Sequence, residues 1–135
     1  MRFQTISTLL CVLLVWPFAS PGAEVVPKQV HLIIEGKRLV ASNARFSRFD
    51  DLKLNAGERI IDKDVDKAAI VLFTNQRVIG YGVLSGWRSL DTHADEKLKE
   101  LAAEDFAALV ITNKRTLNFN GQTGVWGERR RLVTN

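Results

Sequence analysis

Three stretches of this 135-residue chain repeat one another, and the repetition constrains the fold more than any single motif does. Leu32-Ile33-Ile34-Glu35-Gly36-Lys37-Arg38-Leu39-Val40 aligns with Val71-Leu72-Phe73-Thr74-Asn75-Gln76-Arg77-Val78-Ile79 and with Leu109-Val110-Ile111-Thr112-Asn113-Lys114-Arg115-Thr116-Leu117. The marker arginines Arg38, Arg77 and Arg115 stand 39 and then 38 residues apart. Ser47-Arg48-Phe49, Gly86-Trp87 and Gly124-Val125-Trp126 also correspond, with one residue missing from the middle copy. Upstream, Glu58-Arg59-Ile60 matches Glu96-Lys97-Leu98.

Each landmark has a physical reading. An apolar, β-branched run ahead of a turn is a buried strand. The first turn position holds Gly36, Asn75 and Asn113, residue types that tolerate the positive φ of a two-residue hairpin loop. The arginine opens the returning strand, where its presence in every copy points to a structural hydrogen bond to a turn. A second turn, clearest at Asn120-Gly121, leads to a strand carrying Phe49, Trp87 or Trp126. A fourth segment, such as Arg59 to Asp66, leads into the next copy. The unit is a four-stranded antiparallel meander, and three tandem copies span about residues 24–57, 58–95 and 96–135. Leu98, Leu101, Ala102 and Leu109 stand at helical spacing, yet the matching segment of the preceding copy is β-branched. The core of that segment is therefore read as strand, with a short helical turn near Asp95 to Leu101 left open.

The order of apolar strand, tight turn, second strand, Thr-Gly and Trp resembles a blade of the quinoprotein-type (PQQ-like) β-propeller. Thr123-Gly124-Val125-Trp126 carries the likeness best, while the middle copy keeps Gly86-Trp87 and the first only Ser47 and Phe49. The resemblance implies an all-β fold of propeller-like blades and brings no active site, since the quinone- and calcium-binding residues of those enzymes have no counterparts here. Propellers close with four blades or more. Three blades therefore imply a ring completed by self-association, and the alternative is a β-trefoil built from three four-stranded units. The third copy stops after its aromatic strand, so Glu24-Val25-Val26 is a candidate for the strand that completes it.

The first 22 residues have the parts of a secretory signal: Arg2, an apolar stretch from Ile6 to Ala19, and small residues at Ser20 and Gly22. The uninterrupted run from Leu9 to Phe18 falls short of the roughly 20 residues of a spanning helix. Residues 1–22 are read as a signal peptide and 23–135 as one exported domain, periplasmic or secreted, with no transmembrane segment after cleavage. Cleavage removes Cys11, the only cysteine, and disulfide, thiolate and cysteine–zinc chemistry with it. Interspersed charge, 19 basic residues against 15 acidic, argues against a nucleic-acid partner.

No catalytic or metal-binding constellation emerges, and no cofactor is expected. His31 and His93 fall at non-equivalent repeat positions, without a second ligand at metal spacing. Asp91, His93 and the nearby Ser85 and Ser89 lack a nucleophile elbow. Asp62-Lys63-Asp64-Val65-Asp66 lacks the glycine and the terminal glutamate of a calcium loop, and reads as a solvated outer strand. Arg129-Arg130-Arg131 reads as a solvated terminal strand. The chain is thus expected to be a non-catalytic binding or interaction module, self-associating, with a protein or carbohydrate ligand. One alternative is a lectin-like protein whose Phe49, Trp87 and Trp126 stack on sugars; the blander role of these rings is packing between sheets. Another is a truncated repeat protein without independent activity.

Overall fold

In the computed structural model, residues 25–132 are described, and each repeat copy forms its own antiparallel sheet. The signal-peptide reading, with Cys11, falls outside the described residues. The first sheet holds β1 (Val30–Glu35), β2 (Arg38–Asn43) and β3 (Arg48–Lys53). The second holds β4 (Ile60–Val65), β5 (Ala69–Thr74), β6 (Arg77–Gly82) and β7 (Gly86–Asp91). The third holds β8 (Leu98–Glu104), β9 (Ala107–Thr112), β10 (Arg115–Asn120) and β11 (Val125–Arg130). The fold is all-β and each sheet is a meander. The sheets do not close into a barrel, so the trefoil alternative falls.

Two expectations about the repeat unit are corrected. The fourth segment pairs with the strand that follows it, β4 with β5 and β8 with β9, so it opens a sheet rather than ending one. The third copy is therefore complete, and the first has three strands among the described residues. Val25 and Val26 are not in a strand; Val26 packs against the first core instead.

The helical spacing near Leu98 has a local cause. A bulge between Leu98 and Glu100 shifts the strand's phase by one residue, so Leu98, Leu101 and Ala103 all turn toward the same core. The same bulge lies between Ile60 and Asp62 in β4. Helical propensity yields here to the ladder with β9, and the chain enters through Asp95 at φ 61°.

Sheets stack face to face with the second in the middle. Every residue of β5 is buried: Ile70 and Leu72 join Leu39, Ala41, Ile79 and Tyr81 in one core. Val71 and Phe73 join Val78, Val110, Leu117 and Phe119 in the other. Equivalent residues point the same way in every copy, so the stack has a direction, each sheet having a rear face toward its predecessor and a forward face toward its successor.

A polar lock secures each joint. Arg77 Nε donates to Glu58 (2.9 Å) and its Nη2 to the Lys53 carbonyl of the first sheet. Arg115 Nε donates to Glu96 (2.9 Å) and its Nη2 to the Asp91 carbonyl of the second. Thr74 and Thr112 hydroxyls donate to the same carboxylates. Asn75 and Asn113 hold the incoming chain, accepting from the Arg59 and Lys97 amides and donating to the Gly57 and Asp95 carbonyls. They are there for these bonds and not for positive φ, which at this turn position only Gly36 adopts (58°). Arg38, with Glu35 where the other copies have threonine, is exposed and 3.4 Å from Asp51.

Burial alone would raise the Glu58 and Glu96 carboxyls, but bonds from Arg77 and Thr74, or Arg115 and Thr112, outweigh it and hold both below the ordinary carboxylate value. A lowered folded value stabilises the fold in full above the unfolded carboxylate range, and that stabilisation fades as pH falls through the lowered values. Urea midpoints should therefore drop between neutral and acid pH. Glu58→Gln should cost about 3 kcal/mol at neutral pH by stranding Arg77. It should also flatten the acid slope, the two proteins converging at low pH.

Candidate functional site

Phe49, Trp87 and Trp126 occupy one position in β3, β7 and β11, directly across from Ser42, Tyr81 and Phe119. All three lie on rear faces. Trp87 packs on Tyr81 with ring centroids 4.9 Å apart and donates Nε1 to the Asp50 carbonyl of the first sheet (3.0 Å). Trp126 packs on Phe119 at 4.8 Å and donates Nε1 to the Arg88 carbonyl of the second (3.3 Å). Both indoles are half-buried in joints. Among the described residues no sheet precedes that of Phe49, which is 68% exposed. The three rings do not converge on one pocket, and Phe49 alone presents an open ring.

Small residues on the forward faces make room for these rings. Gly80 lies under Phe119 and Trp126, where an added Cβ would come within 2.9 Å of both. Ala41 is its equivalent in the first joint, and Asn118 the equivalent in the third sheet, whose forward face is uncovered. Asn118 is exposed and rests over Gly127, beside a depression of about 410 Å³ lined by Leu109, Thr116 and Arg129. Leu109 (38%) and Val125 (62%) are exposed on this face. Among the described residues nothing covers the rear face of the first sheet, which carries Ile33 (40% exposed), Ser42, Phe49 and the buried Val40.

A polar network tied to the unique tyrosine escaped the sequence reading. Tyr81 donates its hydroxyl to Asp50 (2.6 Å) and accepts from Asn43 Nδ2 (2.9 Å), which also donates to the Val83 carbonyl. Burial first, then the Asp50 carboxylate, pushes the phenol up to about 12. A phenol held protonated acts as a donor and not as a base, so the network ties the first joint together. The Asp62–Asp66 reading is also corrected. Asp64 accepts from the Ala103 amide (2.8 Å) and Asp66 from the Asp105 amide (2.7 Å), so both carboxylates hold β8 across the joint.

A second depression, of about 440 Å³, is lined by His93, Lys114, Arg115, Glu128 and Arg130. His93 Nε2 is 3.9 Å from Glu128, which also approaches Arg115 at 3.3 Å. Arg115 is already committed to Glu96. Among the described residues no three His, Cys, Asp or Glu side chains converge as metal ligands, and no helix is long and apolar enough to cross a membrane. No protein-family model matches the chain, and no curated protein matches it in sequence.

Tyr81 is the only tyrosine, so an alkaline absorbance titration reads it alone. The folded protein should titrate at about 12, against about 10 in urea. Tyr81→Phe should cost about 1–3 kcal/mol by leaving one buried Asn43 N–H without its acceptor and removing the hydroxyl bond to Asp50.

Proposed function

We propose that this chain is an exported, non-catalytic interaction module of propeller-like blades that joins head to tail with a second copy, closing a ring of six sheets. The observation carrying this reading is the pair of uncovered faces at opposite ends of a directional stack. A forward face meeting a rear face is a heterologous contact, which closes a ring when the rotation allows.

The two faces differ from the internal ones in compensating ways. Where Gly80 receives Phe119 and Trp126, the end joint would bring Asn118 against Ser42 and Phe49. The larger forward residue meets the smaller rear one, and both are hydrogen-bonding side chains. Leu109 and Val125 on one face, with Ile33 and Phe49 on the other, supply the apolar remainder. The reading of residues 1–22 as a signal peptide supports export.

Sedimentation should give the mass of two chains, dissociating on dilution; a monodisperse monomer at high micromolar concentration would sink the ring. Phe49→Asp and Asn118→Trp should each yield monomers. Mixed together they should form one heterodimer through their remaining intact faces, an outcome that a face-to-face symmetric dimer cannot produce.

A further inference from the structure

The first sheet ends at β1, while the equivalent strands β5 and β9 each carry a further neighbour, β4 or β8. Among the described residues the side of β1 away from β2 is an open edge. The hairpin loop at Gly36-Lys37 pairs Glu35 with Arg38, so the amides and carbonyls of Leu32 and Ile34 point away from β2. Their equivalents Val71 and Phe73 face β4, opposite Asp64 and Asp62.

Repeat equivalence continues from β1 back to Gln29 and then stops. Gln29 donates its amide to the Lys67 carbonyl and accepts from the Ala44 amide, as Ala68 donates to Asp105 and accepts from Val83. In the second sheet the hairpin closes with the Asp66 amide donating to the Ala69 carbonyl. Pro27 stands at the position of Asp66 and has no amide to donate. That closing bond cannot form at Pro27, and among the described residues no strand takes the place beside β1.

We propose that the open edge of β1 binds an extended acidic peptide, which adds as a fourth strand antiparallel to β1 and sets alternate carboxylates against β4. The carboxylates follow from the joint where this position is filled. There Asp64 and Asp66 of the inner strand accept the Ala103 and Asp105 amides of the next sheet. One sheet earlier, the corresponding amides belong to Val65 and Lys67. That of Val65 is engaged by its own neighbour Asp64 at 3.0 Å. Charge points the same way. Lys63 pairs with Leu72 and so faces the vacant position, exposed, where the third sheet has Leu101. Main-chain pairing supplies affinity and the alternate side chains supply selectivity, as in other strand-addition sites. This inference rests on the stack and not on ring closure.

The test uses a capped synthetic peptide copying residues 60–66, the strand that fills this position beside β5. It should bind one per chain, and amide exchange at Leu32 and Ile34 should slow by about tenfold or more. A copy with asparagine at the places of Asp64 and Asp66 should bind at least about tenfold more weakly, having lost a charge-assisted bond to the Lys67 amide and the attraction of Lys63. A copy N-methylated on its β1-facing amides should not bind. Three results would overturn the proposal: no saturable binding at millimolar peptide, protection elsewhere than β1, or equal affinity for the asparagine copy. Sedimentation of the same samples separates this from the ring: a monomer that binds the peptide removes only the ring.

Discussion

Strand β5 has no solvent face, and both cores depend on it. Its even and odd residues feed opposite joints, so the middle sheet is the shared wall of two interiors. The outer sheets each contribute a single covered face. Removing apolar volume from β5 would loosen both joints at once, whereas a change in β2 or β10 is felt in one. Hydrophobic burial alone would let such sheets slide or rotate on each other, because it carries little direction. Register between sheets comes from polar ties. The guanidinium of Arg77 or Arg115 reaches the last strand of the preceding sheet, and Asp64 and Asp66 reach amides of β8 and of the turn that follows it.

The buried arginine–glutamate pairs sit where the chain passes from one sheet to the next. A desolvated ion pair contributes less net stability than its Coulomb attraction suggests. Its place here is explained by the groups it satisfies: a threonine hydroxyl, a loop amide at Asn55 or His93, and a carbonyl of the neighbouring sheet. An apolar replacement of similar volume would leave those groups without partners, at a cost of about 1–3 kcal/mol for each one buried.

Much of the architecture was legible because it repeats. The spacing of Arg38, Arg77 and Arg115 marks the hairpins, and the all-β meander follows from it. Glu58 and Glu96 were visible as a match, but not as the arginines' partners, because the contact closes over 19 residues through a turn. Leu98 and Leu101 imitate a helix because a bulge adds one residue to a strand's period of two. Tyr81, Asn43 and Asp50 form a network found only in the first joint, so no periodicity announces it. Asp64 and Asp66 alternate as solvated carboxylates do, and only the approach of β8 distinguishes the two cases. The aromatic positions are equivalent across the sheets, yet repetition is blind to the ends of an array. Phe49 and Trp87 are equivalent in sequence and opposite in exposure because only one has a sheet behind it.

The ends of a stack are where a repeat protein must resolve its exposed apolar surface, ordinarily with polar capping faces. Here the substitution is selective. Asn118 replaces the position of Gly80, and Ser42 that of Tyr81, so the contact's centre becomes polar at both ends. Around it Leu109 and Val125 on one side, and Ile33 and Phe49 on the other, remain apolar and exposed. A cap shaped only by solubility would gain most from changing these outer residues, since exposed apolar groups promote unwanted contacts. A joint shaped for a partner would keep them and alter the two side chains that must fit together. Asn118 and Ser42 follow the second pattern, and the proposed joint between copies rests on that choice of side chains and not on the apolar surface around them.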